Sequence, residues 1–509
     1  MPESAASPRF AALEGRLAAA LIVIAALLYF IPINGYERDY DEGVYWQSLR
    51  AMAAGHPLFT SVFSSQPPLF LLSIYPFYMI FGQSIAAARV GIAIFALVGL
   101  IAMFWLASMV GGRWGGLIAT ALLVVDPFYL HQAQTLQAEG PAVAIEILSV
   151  ALGAAASRRQ GRWRMILATL AGVAIAYGTL IKLLNVVALV PIVLYLGAPL
   201  LRAFYTGEGR IGWPTETGLR VGLRAAGRDL GLMTAGIVGM FIVGLAPFAT
   251  NLGPLWNQVV AFHLAAAHTQ AWSALHNLNL MSIAFKWAII PAALVVAAAL
   301  WLRDWRVAPP ALWLIASVAI LDRQNPLFDH HMVIIGPCLA LLAGLAPAFL
   351  RALRPRLSGV WPVIVPAAYT LVLAFVLAHS FSDSRAVLNL AASKPTAAVQ
   401  TEMAAINSFT SPGAIVVTDD QYAAAQAGHS VPPELVDTSL VRLSSGYLTA
   451  TQLENIIQRD HVNTVILSTD RLTQNADFIA WLHANFTLEA NLGQGMAIYI
   501  RAPSGAVVA

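Results

Sequence analysis

Residues 17–33 read LAAALIVIAALLYFIPI, and after three further residues the chain continues as ERDYDEGVYW at 37–46. The first stretch approaches the ~20 apolar residues that cross a hydrocarbon core. The second sets Glu37, Asp39, Asp41 and Glu42 within six positions beside it. Acids this dense stand out because only 11% of the chain is charged and 58% is hydrophobic, where a soluble globular chain carries roughly 25% charge. Apolar runs of similar length recur to about residue 380, so the chain reads as a polytopic membrane protein whose spans are its working part and not an anchor.

The runs predict about eleven transmembrane helices, near 17–34, 84–110, 114–130, 137–156, 163–178, 183–201, 230–250, 281–302, 308–321, 331–350 and 358–380. No small-residue cleavage site follows the first run, which is therefore kept as a helix and not read as a signal peptide. With the N-terminus cytoplasmic, the inward loops carry Arg113; Arg158, Arg159, Arg162 and Arg164; Arg202, Arg210, Arg220, Arg224 and Arg228; Arg303 and Arg306; and Arg351, Arg354 and Arg356. The opposite loops hold few basic residues, which sets this orientation by the positive-inside rule, and an odd number of spans then puts the C-terminus outside. The lone Cys338 lies in an apolar run and says little about compartment. A net charge of +3 gives no reason to expect a nucleic-acid partner.

Three outer features follow. The loop 35–83 holds the acidic cluster and LFLLSIYPFYMIFG, which is short and Pro-broken and reads as a helix lying at the interface. The loop 251–280 carries His263, His268 and His276, and LDRQNPLFDHH ends a third feature at residue 331. From about residue 385 the composition becomes that of a soluble domain. GAIVVTDD, VNTVILSTD and GMAIYIR read as buried strands, and TATQLENIIQRDH and DFIAWLHANF have helical spacing, so a small α/β domain is expected over 385–509. It shows no phosphate loop, metal-spaced Cys/His cluster or nucleophile elbow.

Several residues can carry chemistry. A loop acid is often only solvated, yet Asp39, Asp41 and Glu42 lie next to the bilayer and are interleaved with Tyr36, Tyr40, Tyr45 and Trp46. Partial desolvation there raises a carboxylate's pKa and suits it to general-base work. Glu139 stands near the outer end of the fourth span, where an ionisable group is costly, against the plainer reading of a boundary residue that reaches water. Glu146 is deeper and reads as a partner for a neighbouring helix. Lys182 either snorkels to the interface or joins Arg89, Lys286 and Arg323 at outer helix ends as a set of cations for a lipid-linked phosphate. No cofactor is read with certainty. A divalent cation is left open, with Asp41, Glu139 and His263 as possible ligands, since the loop histidines lack compact ligand spacing and serve by default as hydrogen-bonding groups.

The order DYDEGVYW, GHPLF, SQPPLFLLSIYPFYMIFG, AARVGIAIF, then Glu139 and YGTLIKLLN, resembles the GT-C membrane glycosyltransferases of family 39, the protein O-mannosyltransferase and aminoarabinose transferase type. The resemblance covers roughly residues 15–200 by motif. It implies a GT-C transmembrane domain over 1–384 and an extracytoplasmic α/β domain over 385–509, in the plasma (inner) membrane. It further implies transfer of a sugar, with inversion, from a polyprenyl-phosphate donor to a hydroxyl of a glycan, lipid or protein acceptor. Carried over by position, Asp41 is the expected base with Glu42 beside it, Glu139 is the second carboxylate, and Lys182 and Arg89 are the family's cations. Tyr45, Lys286 and Arg323 join them as expected substrate contacts. Many members read His-Pro-Pro where this chain has Gln66-Pro67-Pro68, so a role for that histidine does not transfer. The rival readings are a secondary transporter or flippase, which predicts paired broken helices in two halves, and a non-catalytic assembly protein of the same fold.

Overall fold

The computed structural model describes residues 8–36, 39–204, 214–269, 273–493 and 496–501. Glu37 and Arg210, read above, lie outside the described residues. Helices dominate: α1 (Pro8–Phe30), α2 (Tyr40–Ala53), α3 (Leu69–Ile80), α4 (Ile85–Gly111), α5 (Arg113–Val124), α6 (Pro127–Gln132), α7 (Glu139–Arg158) and α8 (Gly161–Thr179) lead into further membrane-length helices. Among the described residues, eight helices are long and apolar enough to cross a membrane, or nine if Leu275–Ala284 and Ile289–Leu302, which meet at 99°, form one span.

The expected eleven is not reached, for two local reasons. The 114–130 run breaks where Asp126 caps α6 and Pro127 follows. That leaves α5 twelve residues long, about 18 Å at 1.5 Å per residue against a ~30 Å core. The 163–178 run forms α8, whose first turn carries Arg162 and Arg164. It runs back along α7 after a two-residue turn, and Lys182, just beyond its end, pairs with Glu139 in the first turn of α7.

Burial sorts the helices. Glu139–Arg158 and Asp329–Arg356 are 83% and 89% enclosed over their apolar windows, against 17% for Leu13–Asn34, Glu216–Phe248 and Trp361–Ala391. The two enclosed helices form the centre, and Glu139, His330 and His331 stand at their N-terminal ends. At the far end of the bundle basic residues pair with buried acids: Arg113 with Glu14 at 3.6 Å, and Arg164 and Arg228 with Asp229.

The first outer segment is helical where the acids lie. Asp39 caps α2, its side chain accepting from the Glu42 amide at 3.0 Å, and Asp41 and Glu42 occupy the first turn, where negative charge suits the helix dipole. Two glycines permit close crossings. A Cβ on Gly35 would lie 1.5 Å from the Ala391 carbonyl oxygen, and one on Gly43 would lie 2.4 Å from the Tyr422 amide nitrogen.

The last long helix runs from Trp361 to Ala391, past the boundary expected at 384/385. Beyond it a four-stranded sheet has the order β1-β2-β4-β3. β1 (Val416–Thr418) and β2 (Thr464–Leu467) are parallel, and β4 (Met496–Arg501) runs antiparallel to β2 and to β3 (Phe486–Gly493). The expected strands fall on β1, β2 and β4, and the expected helices on Ala450–Arg459 and Ala476–Asn485. β3 was not expected. It is an edge strand with one buried residue among eight, so it lacks the apolar run that marked the others.

Candidate active site

α2 lies between two environments, and its acids divide accordingly. Glu42 is fully buried. Its Oε1 accepts from Arg89 Nε at 2.9 Å and from the Leu136 amide at 2.6 Å, and its Oε2 accepts from Arg89 Nη2 at 2.5 Å. Arg89 Nη1 donates to the carbonyls of Ile33 and Gly35 at 3.2 and 2.7 Å. The pair thus ties the exit of α1, the start of α2, α4 and the turn before α7 into one unit. Burial pushes the Glu42 pKa up, and the Arg89 guanidinium pulls it back. Where the sequence reading set Arg89 toward a phosphate and Glu42 beside the base, the two are enclosed together in a bidentate pair.

Asp41 faces the other way. Its side chain keeps 36% exposure, and its Oδ2 lies 4.0 Å from His330 Nδ1. Surrounding protein that displaces water, and then the charges of Asp39 and Glu139, raise its pKa well above the usual carboxylate range, with Lys182 opposing them. Lys182 precedes the turn Leu183–Ala188, and its Nζ sits 2.6 Å from Glu139 Oε1. The same oxygen is 3.7 Å from Nε2 of both His330 and His331. Asp41, His330, Glu139, His331 and Lys182 therefore form one cluster drawn from α2, α7, the segment after α8 and the turn Asp329–Ile334.

His330 and His331 were not singled out from the sequence; the signal was the His-His doublet closing LDRQNPLFDHH. With Glu139 they offer three ligand atoms within 4.8 Å of one another. Two imidazoles and a carboxylate are a donor set that zinc-class ions accept. The Lys182 ammonium, 2.6 Å from the same Glu139 oxygen, competes with an ion for it. His263, expected as a ligand, is not in this group. Its Nδ1 donates to the Val259 carbonyl at 2.8 Å, and burial and then the Lys182 charge depress its pKa to about 4.

Tyr45, one turn beyond Asp41, is buried edge-on against Phe70. Lys286 and Arg323 are exposed and are not brought to the cluster; the Lys286 Nζ lies 5.5 Å from the centre of the Trp287 ring.

The C-terminal region roofs α2. Tyr40 donates to Asp437 Oδ1 at 3.1 Å and accepts from the Thr438 amide at 2.8 Å, while Arg471 stacks 3.9 Å above the Tyr40 ring. Gln47 donates to the carbonyls of Gln421 and His429, and buried Arg442 lies 3.7 Å over the Phe63 ring.

This architecture has known counterparts. ArnT from Cupriavidus metallidurans bound to undecaprenyl phosphate superposes with a TM-score of 0.65 at 14% identity, over 98% of this chain and 99% of that one. The chain has the fold of the GT-C glycosyltransferases. The oligosaccharyltransferase of Archaeoglobus fulgidus in complex with Zn and sulfate shares this GT-C fold, with a TM-score of 0.53 at 12% identity over 88% of this chain and 68% of that one. So does the arabinofuranosyltransferase AftD from Mycobacteria, at 0.51 and 16% over 97% and 40%. Residues 65–204 match the dolichyl-phosphate-mannose-protein mannosyltransferase family, a stretch that includes Glu139 and Lys182 but begins after Asp41. No curated protein matches the sequence.

Proposed function

We propose that this GT-C protein is a membrane glycosyltransferase that moves a sugar from a polyprenyl-phosphate carrier to an acceptor hydroxyl on the outer face of the membrane. The observation that carries this reading is Asp41: a partly open carboxyl of raised pKa, in one cluster with the Lys182–Glu139 pair, at the end of the bundle opposite the paired arginines. The undecaprenyl phosphate bound to ArnT and the dolichol phosphate bound to the archaeal oligosaccharyltransferase support the carrier class. The acceptor oxygen attacks the anomeric carbon as the bond from that carbon to the phosphate oxygen breaks, which inverts the centre. The acceptor proton passes to Asp41, and the phosphate leaves as an anion held by Lys182. A phosphate needs no proton to depart, so a base and a cation suffice. The acceptor is a glycan, a lipid or a protein. A transferase assay on purified protein, with a donor identified by mass spectrometry of co-purifying lipids, tests the reading; loss of all transfer with every such lipid refutes it.

Lys182→Ala is expected to weaken donor use roughly ten- to a hundredfold, the effect of removing a charge-assisted hydrogen bond, and to leave acceptor dependence little changed. An unaltered donor KM would make Lys182 a partner of Glu139 and nothing more.

Glu139, His330 and His331 are proposed to hold one divalent cation of the zinc class, which when bound supplies positive charge beside the leaving phosphate. Metal analysis of the purified protein should find it near one equivalent and absent from His330→Ala/His331→Ala. Equal content in both would place the ion elsewhere.

The arginine distribution supports a cytoplasmic N-terminus with residue 445 outside. Ser445→Cys in a Cys338→Ser background should react with an impermeant maleimide on intact cells. Reaction only after lysis would reverse the orientation and the side on which transfer occurs.

A further inference from the structure

Glu146 is one of the buried carboxyls that the mechanism leaves unused. Glu146 lies two turns along α7 from Glu139, on the same helical face, and is fully enclosed. Its Oε1 accepts from Trp313 Nε1 at 2.6 Å, a contact to the helix Ala308–Asp322. With the Asn185 amide turned so that its nitrogen faces α7, Asn185 donates to Glu146 Oε2 at 3.1 Å and to the Ala142 carbonyl at 3.0 Å. Asn185 belongs to the turn that Lys182 opens, and its backbone amide donates to the Lys182 carbonyl at 3.1 Å. That turn is where the chain leaves α8 and Lys182 becomes extended, with φ −148° and ψ 128°. Non-helical backbone within a membrane protein persists where side chains satisfy and hold it, and a carboxyl at such depth is costly unless it has partners. Gly178 leaves the space Asn185 occupies, since a Cβ there would come within 1.9 Å of the Asn185 side-chain amide.

We infer that Glu146 is a positioning residue: through Asn185 it fixes the turn that presents Lys182 to Glu139, and Trp313 locks the carboxyl in place. The functional consequence rests on the phosphate role proposed for Lys182, whereas the geometric one does not. The test uses the full-length protein in lipid nanodiscs as Glu146→Leu, Glu146→Gln, Asn185→Ala, Lys182→Ala and Lys182→Ala/Asn185→Ala. Cryo-electron microscopy of Glu146→Leu should show Lys182 withdrawn from Glu139; if that variant does not fold, Asn185→Ala is used for the same measurement. Undecaprenyl phosphate affinity should fall roughly tenfold or more in Glu146→Leu and Asn185→Ala, the effect of removing one partner of a buried hydrogen bond. It should stay within about threefold of the parent in Glu146→Gln, which keeps an acceptor for Trp313. The double variant should bind no worse than Lys182→Ala, because residues acting through one another are non-additive. Lys182 still seated on Glu139 in Glu146→Leu, or additive losses in the double variant, would overturn the inference. If Lys182→Ala leaves the affinity unchanged, the phosphate role of Lys182 fails, and the position of Lys182 in the microscopy alone decides the inference.

Discussion

Asp41→Asn should abolish most turnover, by at least about 10²–10⁴-fold, while expression, folding and donor binding stay near those of the parent. Asn keeps the shape of Asp and still fits the first turn of α2, so what it removes is a proton acceptor beside the cluster. The pH dependence carries the same signature. A carboxyl raised by desolvation and by Asp39 and Glu139 is lost as a base when the pH falls through that raised value. The acid limb of kcat/KM should therefore lie above the ~4 of an ordinary Asp. Asp39→Asn preserves the helix cap and deletes one of the like charges, so it should move that limb to lower pH. Near-normal turnover in Asp41→Asn would take the base away from this position, and Glu139 would be tested next.

Arg89→Ala is expected to damage the fold and not donor recognition. Removing one partner of a buried ion pair costs about 3–5 kcal/mol because the other charge stays behind uncompensated. Here that charge is Glu42, enclosed at 0% exposure, and the same substitution strips the donors from Ile33 and Gly35. Folded yield in detergent and the melting temperature should drop sharply, whereas any surviving protein should show a donor KM unlike that of Lys182→Ala. Glu42→Met/Arg89→Met, which removes both charges, should be more stable than Arg89→Ala. A stable Arg89→Ala protein with a raised donor KM would restore the arginine to phosphate binding.

The charge pattern of the sequence determined that this is a polytopic membrane protein, and local spacing marked the α2 acids, Glu139, Lys182 and the α/β character of the C-terminal region. Those features depend on neighbours within a turn or a strand, so the chain displays them directly. Which acid is free was not local. Asp41 and Glu42 are adjacent, yet successive helical positions point about 100° apart, and only the packing of α4 and the Leu136 turn against one of those directions decides that Glu42 is paired and Asp41 left open. His330 and His331 likewise join the cluster because the two enclosed helices bring their N-terminal ends together at Glu139. Tertiary structure decided these assignments because a side chain's role follows from the charges and donors placed around it, and here those come from segments distant in the sequence.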